Sequence, residues 1–266
     1  MSLAKHCIVE PGSKMRLKHR NPGDTFGKKR NDKRHEKTLE RLRELQHLLY
    51  ADKRYSLLIV LQGLDASGKD GTIRHVMSGV NPQGCDVMSF KAPTPFELAR
   101  DFLWRIHRAV PPRGNIGIFN RSHYEDVLVV RVHDLVPKSV WRDRYRQINE
   151  FEQMLSENGV TILKFFLHIS REEQRKRFEA RIQDSSRNWK LSLPDFEERK
   201  HWDNYTQAYE EALERCSTKA APWYVIPADR KWFRNYLVAD LVVRALDNMR
   251  LKYPAPTVDI SQVVLE

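Results

Sequence analysis

Residues 55–72 read YSLLIVLQGLDASGKDGT. From Tyr55 to Gln62 the chain is almost continuously apolar, in a run too short for a typical helix and closed by Gly63. This is the pattern of a strand buried on both faces of a parallel sheet. Gly63, four residues and then Gly68-Lys69 is the spacing of a phosphate-binding loop, and it lies where that motif must lie, after a strand and before a helix. Glycine at 63 and 68 lets the backbone turn its N–H groups toward an anion. The helix starting near Asp70 adds its dipole, and Lys69 adds a full charge. The loop from Gly63 through Ala66, Ser67 and Gly68 to Lys69 and Asp70 is therefore a candidate phosphate site. Two positions depart from the usual motif. Asp70 replaces the Ser or Thr that follows the lysine, and Asp65 adds a second carboxylate. An acid beside phosphate repels it unless a cation lies between, so Asp65 is expected to hold magnesium together with phosphate oxygens. Asp70 has two readings: a further ligand, or an acid favoured by the dipole in the first helical turn.

Further short apolar runs follow at 87–90, 116–119, 161–168 and 223–227. Helical patterns separate them: a leucine-spaced helix ending near Tyr50, then about 71–79, 94–109, 138–158, 170–183, 194–216 and 231–251. Alternating strands and helices imply right-handed crossovers and a parallel α/β sheet of about five strands covered on both faces. The expected organisation is a basic N-terminal arm over 1–37, a main domain over 38–254 and a tail over 255–266. Residues 171–202 are highly charged and broken by Ser-Ser and Pro194, so they read as either a solvated helical hairpin or a lid over the site.

Two other stretches carry chemistry. In 116–126, IGIFNRSHYED, a strand ends at Asn120 and is followed by Arg121, His123, Glu125 and Asp126, with Arg131 further on. Ionisable groups at the C-terminal end of a parallel strand lie where open α/β sheets bind ligands. Arg121 and Arg131 are candidates to neutralise a transferring phosphoryl group, and Asp126 is a candidate to help Asp65 with the metal. His123 reads as a packing or hydrogen-bonding residue. In 90–105, FKAPTPFELARDFLWR, Phe90 is a candidate to stack a base, and Lys91, Arg100 and Arg105 to meet its phosphates; an ordinary strand-to-helix connection reads equally simply.

The chain has 266 residues, 41% hydrophobic and 30% charged, which suits one large core. Its formal charge of +11 and pI near 9.6 ask for a polyanionic partner. Cys7, Cys85 and Cys216 are scattered, with no metal-binding spacing, and read as reduced thiols of a cytoplasmic protein. No nucleic-acid-binding module is recognisable and no apolar run could span a membrane, so neither partner is expected.

Several strings in this order, GLDASGKDGT, VNPQG, APTPFELARDFLWRIHRAVP, FNRSHYEDVLVVRV, LKFFLHISREEQRKR and APWYVIPADRKW, resemble the family-2 polyphosphate kinases over about residues 35–250. The resemblance implies a phosphate-loop nucleotide-kinase-like three-layer fold with a helical lid. It implies phosphoryl transfer between inorganic polyphosphate and an adenine or guanine nucleotide, with magnesium or manganese, in a homo-oligomer. It places Asp65 and Lys69 in the loop motif and Arg121 and Arg131 in the second motif, with the lid arginines Arg175 and Arg177 facing phosphate. Arg74 and the arm residues Lys29 and Arg30 then become candidates for the polyphosphate chain, and Pro93, Asn120 and Glu125 join the nucleotide site. Many members carry Asp where this chain has Asn120. The Asn-Arg-Ser-His-Tyr-Glu-Asp version resembles the class that accepts both nucleoside mono- and diphosphates. An ATP-dependent nucleoside monophosphate kinase, and a polyphosphate kinase restricted to diphosphates, are the rival expectations.

Overall fold

The structure, a computed structural model, describes residues 3–186, 188–260 and 263. Five parallel strands form one sheet in the order β2-β3-β1-β4-β5. They are β1 (Ser56–Gln62), β2 (Cys85–Ser89), β3 (Ile116–Asn120), β4 (Val160–His168) and β5 (Trp223–Pro227). The helices in chain order are α1 (Ala4–Cys7), α2 (Asp32–Asp52), α3 (Lys69–Val76), α4 (Pro95–Leu98), α5 (Trp104–His107), α6 (Glu125–Val132), α7 (Lys138–Glu157), α8 (Arg171–Gln183), α9 (Leu193–Glu198), α10 (Trp202–Cys216) and α11 (Lys231–Asn248).

β1 is buried along its whole length because it is central and covered twice. Side chains alternate across a strand, so Leu57, Ile59 and Leu61 join the layer of α2, α3 and α11, while Leu58 and Val60 join that of α6, α7 and α10. After β1 the chain runs out to the edge strand β2, and after β3 it crosses to β4 on the other side of β1. The switch point of the sheet therefore lies between β1 and β3, where such sheets bind ligands. Leu61 is in register with Asn120, so the turns that follow β1 and β3 emerge side by side.

Three elements differ from the sequence expectation. The helix expected over 94–109 is two short pieces, the first opened by a Thr94–Glu97 capping box, with Asp101 taking the Leu103 N–H between them. The stretch 194–216 bends through a 3-10 turn at Arg199–His201. α6 forms where only a charged motif was legible. The basic N-terminal segment lies on the body: Leu3, Cys7, Val9, Met15 and Leu17 are buried, and Val9 N donates to Trp223 O at 2.8 Å. α2 starts inside that segment, with the Asn31 carboxamide capping the Arg34 N–H. Among the described residues no helix is long and apolar enough to cross a membrane.

Candidate active site

The 63–68 turn is built on three residues of positive φ: Gly63 at 150°, Ala66 at 59° and Gly68 at 104°. A Cβ on Gly63 would meet Ser67 Oγ at 2.8 Å and Leu167 O at 2.9 Å, so only glycine fits. Lys69, the first residue of α3, turns back over the loop and donates from Nζ to Gly63 O at 2.7 Å. Burial pushes the Lys69 ammonium below its usual pKa. From beneath, α8 grips the loop's carbonyls. Gln174 Nε2 donates to Asp65 O, and Arg177 Nη1 donates to Ala66 O and Ser67 O, each within 2.9 Å.

Arg121 follows β3 with φ 62°, a left-handed conformation that is costly for arginine and occurs at functional turns. Its N–H bonds Leu61 O, which locks it to β1, and its guanidinium meets Asp65 Oδ1 at 3.0 Å. Burial works against the Arg121 charge, but Glu125 and Asp65 more than offset it and raise its pKa. Burial raises the Glu125 carboxyl, against the pull of Arg121 and Lys69. Asn120 Nδ2 donates to Asp70 Oδ1 at 2.8 Å. Asp65, Lys69, Asp70, Asn120, Arg121 and Glu125 are thus brought together as expected. A cavity of about 260 Å3 opens over Asp65, Arg121 and Glu125, and Asp195 and Glu198 of α9 and Arg199 also line it.

Seven expected residues lie elsewhere. Arg131 leaves α6 on the face toward α7 and α10, where Nη1 bonds Glu211 at 2.6 Å and the guanidinium covers the Trp141 ring. It does not reach the loop. Asp126 is not beside Asp65: it pairs with Arg144 at 3.2 Å and faces Arg105 at 4.0 Å. Successive helical positions point about 100° apart, so Glu125 enters the cavity and Asp126 turns away. Arg177 is spent on the loop's carbonyls and on Ala228 O rather than facing phosphate. Arg74 is exposed further along α3, beside His75. Lys29 and Arg30 line a separate cavity of about 220 Å3 with Lys28, Arg34, His75 and Tyr236. Arg175 is exposed on α8, near Arg199, whose own pKa is lowered by burial and by the like charges of Arg171 and Arg175.

The stretch after β2 lines a cavity of about 400 Å3 that includes Ser89, Phe90, Lys91, Trp104, Arg105 and Arg108. Phe90 is not a free stacking face, because it packs edge-on to Phe119 with Arg105 over its ring. Pro93 is exposed on the adjoining loop. Ser89 Oγ lies 3.5 Å from Asn120 Nδ2, so this cavity meets the phosphate loop at the Asn120–Asp70 pair. Gln174, Asp195, Arg199 and Arg234 belong to the site and were not singled out from the sequence.

A phosphate loop at a parallel-sheet switch point, with a basic second motif beside it, defines a phosphoryl-transfer enzyme of the nucleotide-kinase type. Residues 25–254 match the description of the family "Polyphosphate kinase 2 (PPK2)". The chain is 50% identical over 262 residues to an AMP/ADP-polyphosphate phosphotransferase of Meiothermus ruber, covering 97% of this chain and 98% of that protein. It is 50% identical over 231 residues to an ADP-polyphosphate phosphotransferase of Rhodopseudomonas palustris, covering 82% of this chain and 80% of that protein. A crystal structure of polyphosphate kinase 2 from Arthrobacter aurescens superposes with a TM-score of 0.93 at 40% identity, covering 98% of this chain and 94% of that one. The chain belongs to the polyphosphate kinase 2 family.

Proposed function

We propose that this protein transfers a phosphoryl group from inorganic polyphosphate to AMP and to ADP, giving ADP and ATP. The observation that carries the donor assignment is the basic lining of two further cavities, one beside the loop cavity and one near α2. In the loop cavity itself Arg121 and Arg199 face the carboxylates of Asp65, Glu125, Asp195 and Glu198. Lys18, Arg20 and Arg171 line a larger neighbour that shares Leu64, Trp202 and Tyr209 with it. Lys28, Lys29 and Arg34 line the cavity near α2. That much positive surface suits a linear polyanion longer than a nucleotide's phosphate tail.

The loop N–H groups and Lys69 hold the donor phosphates. Arg121 lies where charge grows on the transferred group. An acceptor phosphate oxygen attacks phosphorus as the donor P–O bond breaks; that oxygen is already anionic at neutral pH, so no general base is needed. The lid helices α8 and α9 exclude water. A divalent cation fits Asp65, a carboxylate in the loop cavity that would otherwise repel phosphate. Asp65 would hold magnesium, which would supply charge neutralisation for the phosphates.

With polyphosphate and magnesium as the sole donor system, ATP is expected from ADP and, through ADP, from AMP. Asp65→Asn is expected to lower both rates by about a hundredfold or more. ATP from neither acceptor would leave the ATP-dependent monophosphate kinase; ATP from ADP alone would restrict the acceptor range.

Asn120 is proposed to widen acceptor choice. Its amide faces Asp70, so Asn120→Asp would set two carboxylates against each other at the mouth of the acceptor cavity. The ratio of AMP to ADP rates is expected to shift by about tenfold. An unchanged ratio would remove Asn120 from acceptor selection.

A further inference from the structure

We propose that Arg234, on α11 and outside every motif in the sequence, is a positioning residue for the phosphate loop that sets its affinity for the donor. The inference rests on the loop being the donor site, as proposed above.

Arg234 is 3% exposed. Nη1 donates to Ser67 O at 3.0 Å, and Nε and Nη2 both donate to Asn235 Oδ1, at 3.1 and 2.8 Å. Its guanidinium lies against the start of α3. A Cβ on Gly68 would land on it, and one on Gly71 would come 3.5 Å from Nη2. The second glycine of the motif is therefore required twice over, by its φ of 104° and by this side chain.

The consequence for phosphate follows from peptide geometry. Ser67 O accepts from both Arg234 and Arg177, so two guanidiniums fix the plane of the Ser67–Gly68 peptide. In a trans peptide the N–H points opposite to the C=O. Pulling Ser67 O toward α8 and α11 turns the Gly68 N–H toward the opposite side. The Gln174 bond to Asp65 O does the same for the Ala66 N–H. Among the described residues no protein acceptor takes either N–H. Without these grips a glycine-rich loop has many peptide orientations to choose from.

Charge adds to orientation. Arg177 has Glu173 as a partner at 2.8 Å, whereas Arg234 has no carboxylate partner among the described residues. Burial, with help from Arg177, lowers the Arg234 pKa to about 10, which leaves it charged at neutral pH. A buried cation held only by neutral acceptors is expensive to keep. An anion on the far side of the thin loop offsets that cost, and donor phosphate is such an anion.

The test uses the full chain with Arg234→Gln and Arg234→Lys. Tripolyphosphate binding is measured by calorimetry, and KM is measured separately for polyphosphate and ADP. Arg234→Gln is expected to weaken tripolyphosphate binding about tenfold or more and to raise the polyphosphate KM in step, with the ADP KM held within about twofold. Arg234→Lys keeps the charge but cannot bond Ser67 O and Asn235 together, so it is expected to fall between. A folded Arg234→Gln protein with wild-type affinity overturns the proposal, as does an equal rise in both KM values. Should Arg234→Gln fail to fold, wild-type affinity in Arg234→Lys overturns it. Wild-type protein that binds tripolyphosphate but makes no ATP from polyphosphate would refute the proposed reaction and leave the Arg234 comparison readable.

Discussion

Lys69→Met is expected to lower kcat/KM for polyphosphate-driven ATP formation by about a thousandfold or more, with little change in melting temperature. The side chain is buried and its ammonium rests on the Gly63 carbonyl at 2.7 Å. Burial already disfavours that charge, so the fold gains little from it. Methionine fills nearly the same volume and leaves one carbonyl short of a donor, a cost of about 1 kcal/mol. Binding is different. The ammonium is a full charge held at the loop, and a phosphoryl group in transfer carries negative charge that neutral donors stabilise less well. Activity and stability should therefore separate. Single-turnover phosphoryl transfer and thermal unfolding of the same preparation check this. Activity within about tenfold of wild type would mean that Arg121 and the loop amides suffice without the lysine.

What the sequence conveyed about this site, and what it hid, follows from how far apart the cooperating residues lie. β1 and the loop were legible because strand, glycine spacing and helix start are contiguous. The second motif was legible to Arg121, which β3 delivers directly beside β1. It became ambiguous once α6 began, because charge type does not reveal helical phase. Glu125 faces the loop while Asp126 and Arg131 point to Arg144 and Glu211. The family resemblance implied that Arg175 and Arg177 face phosphate. Yet Gln174 and Arg177, three apart on one helical face, both meet loop carbonyls, and a guanidinium donates to a carbonyl as readily as to phosphate. Arg234 bonds a residue 167 positions away, and nothing local marks it. One signal was available and unused. Lys164 interrupts the apolar run of β4, and a lysine inside a buried strand demands a carboxylate.

That carboxylate is Glu152, and Glu152→Leu is expected to destabilise the protein by about 3–5 kcal/mol, lowering its melting temperature by roughly 10 °C. Lys164 and Glu152 are essentially unexposed. Lys164 Nζ donates to Glu152 Oε2 at 2.6 Å, to Tyr124 OH at 2.8 Å and to Cys216 O at 2.6 Å. Tyr124 OH donates to Glu152 Oε1, and His123 Nε2 lies 3.1 Å from the same oxygen. The network ties β4, α7 and the end of α10 to residues 123 and 124, which carry Arg121 and Glu125 on either side. Removing Glu152 alone leaves a lysine charge with no partner in the core. Removing both charges, as Glu152→Leu with Lys164→Met, is expected to recover most of the loss, because two apolar side chains of similar volume replace a desolvated pair. The pH dependence has a definite sign. Burial works to raise the Glu152 carboxyl, but Lys164 and His123 outweigh it and hold its pKa below the usual value. A depressed carboxyl stabilises the fold above the unfolded-state pKa and loses that contribution as pH falls through the folded-state value. Wild type should therefore lose this share of its stability in acid, and the double variant should not. Thermal unfolding of the three proteins at neutral and acid pH measures it. A single variant as stable as wild type would mean that Lys164 is uncharged in the core, and the account of this network would fail.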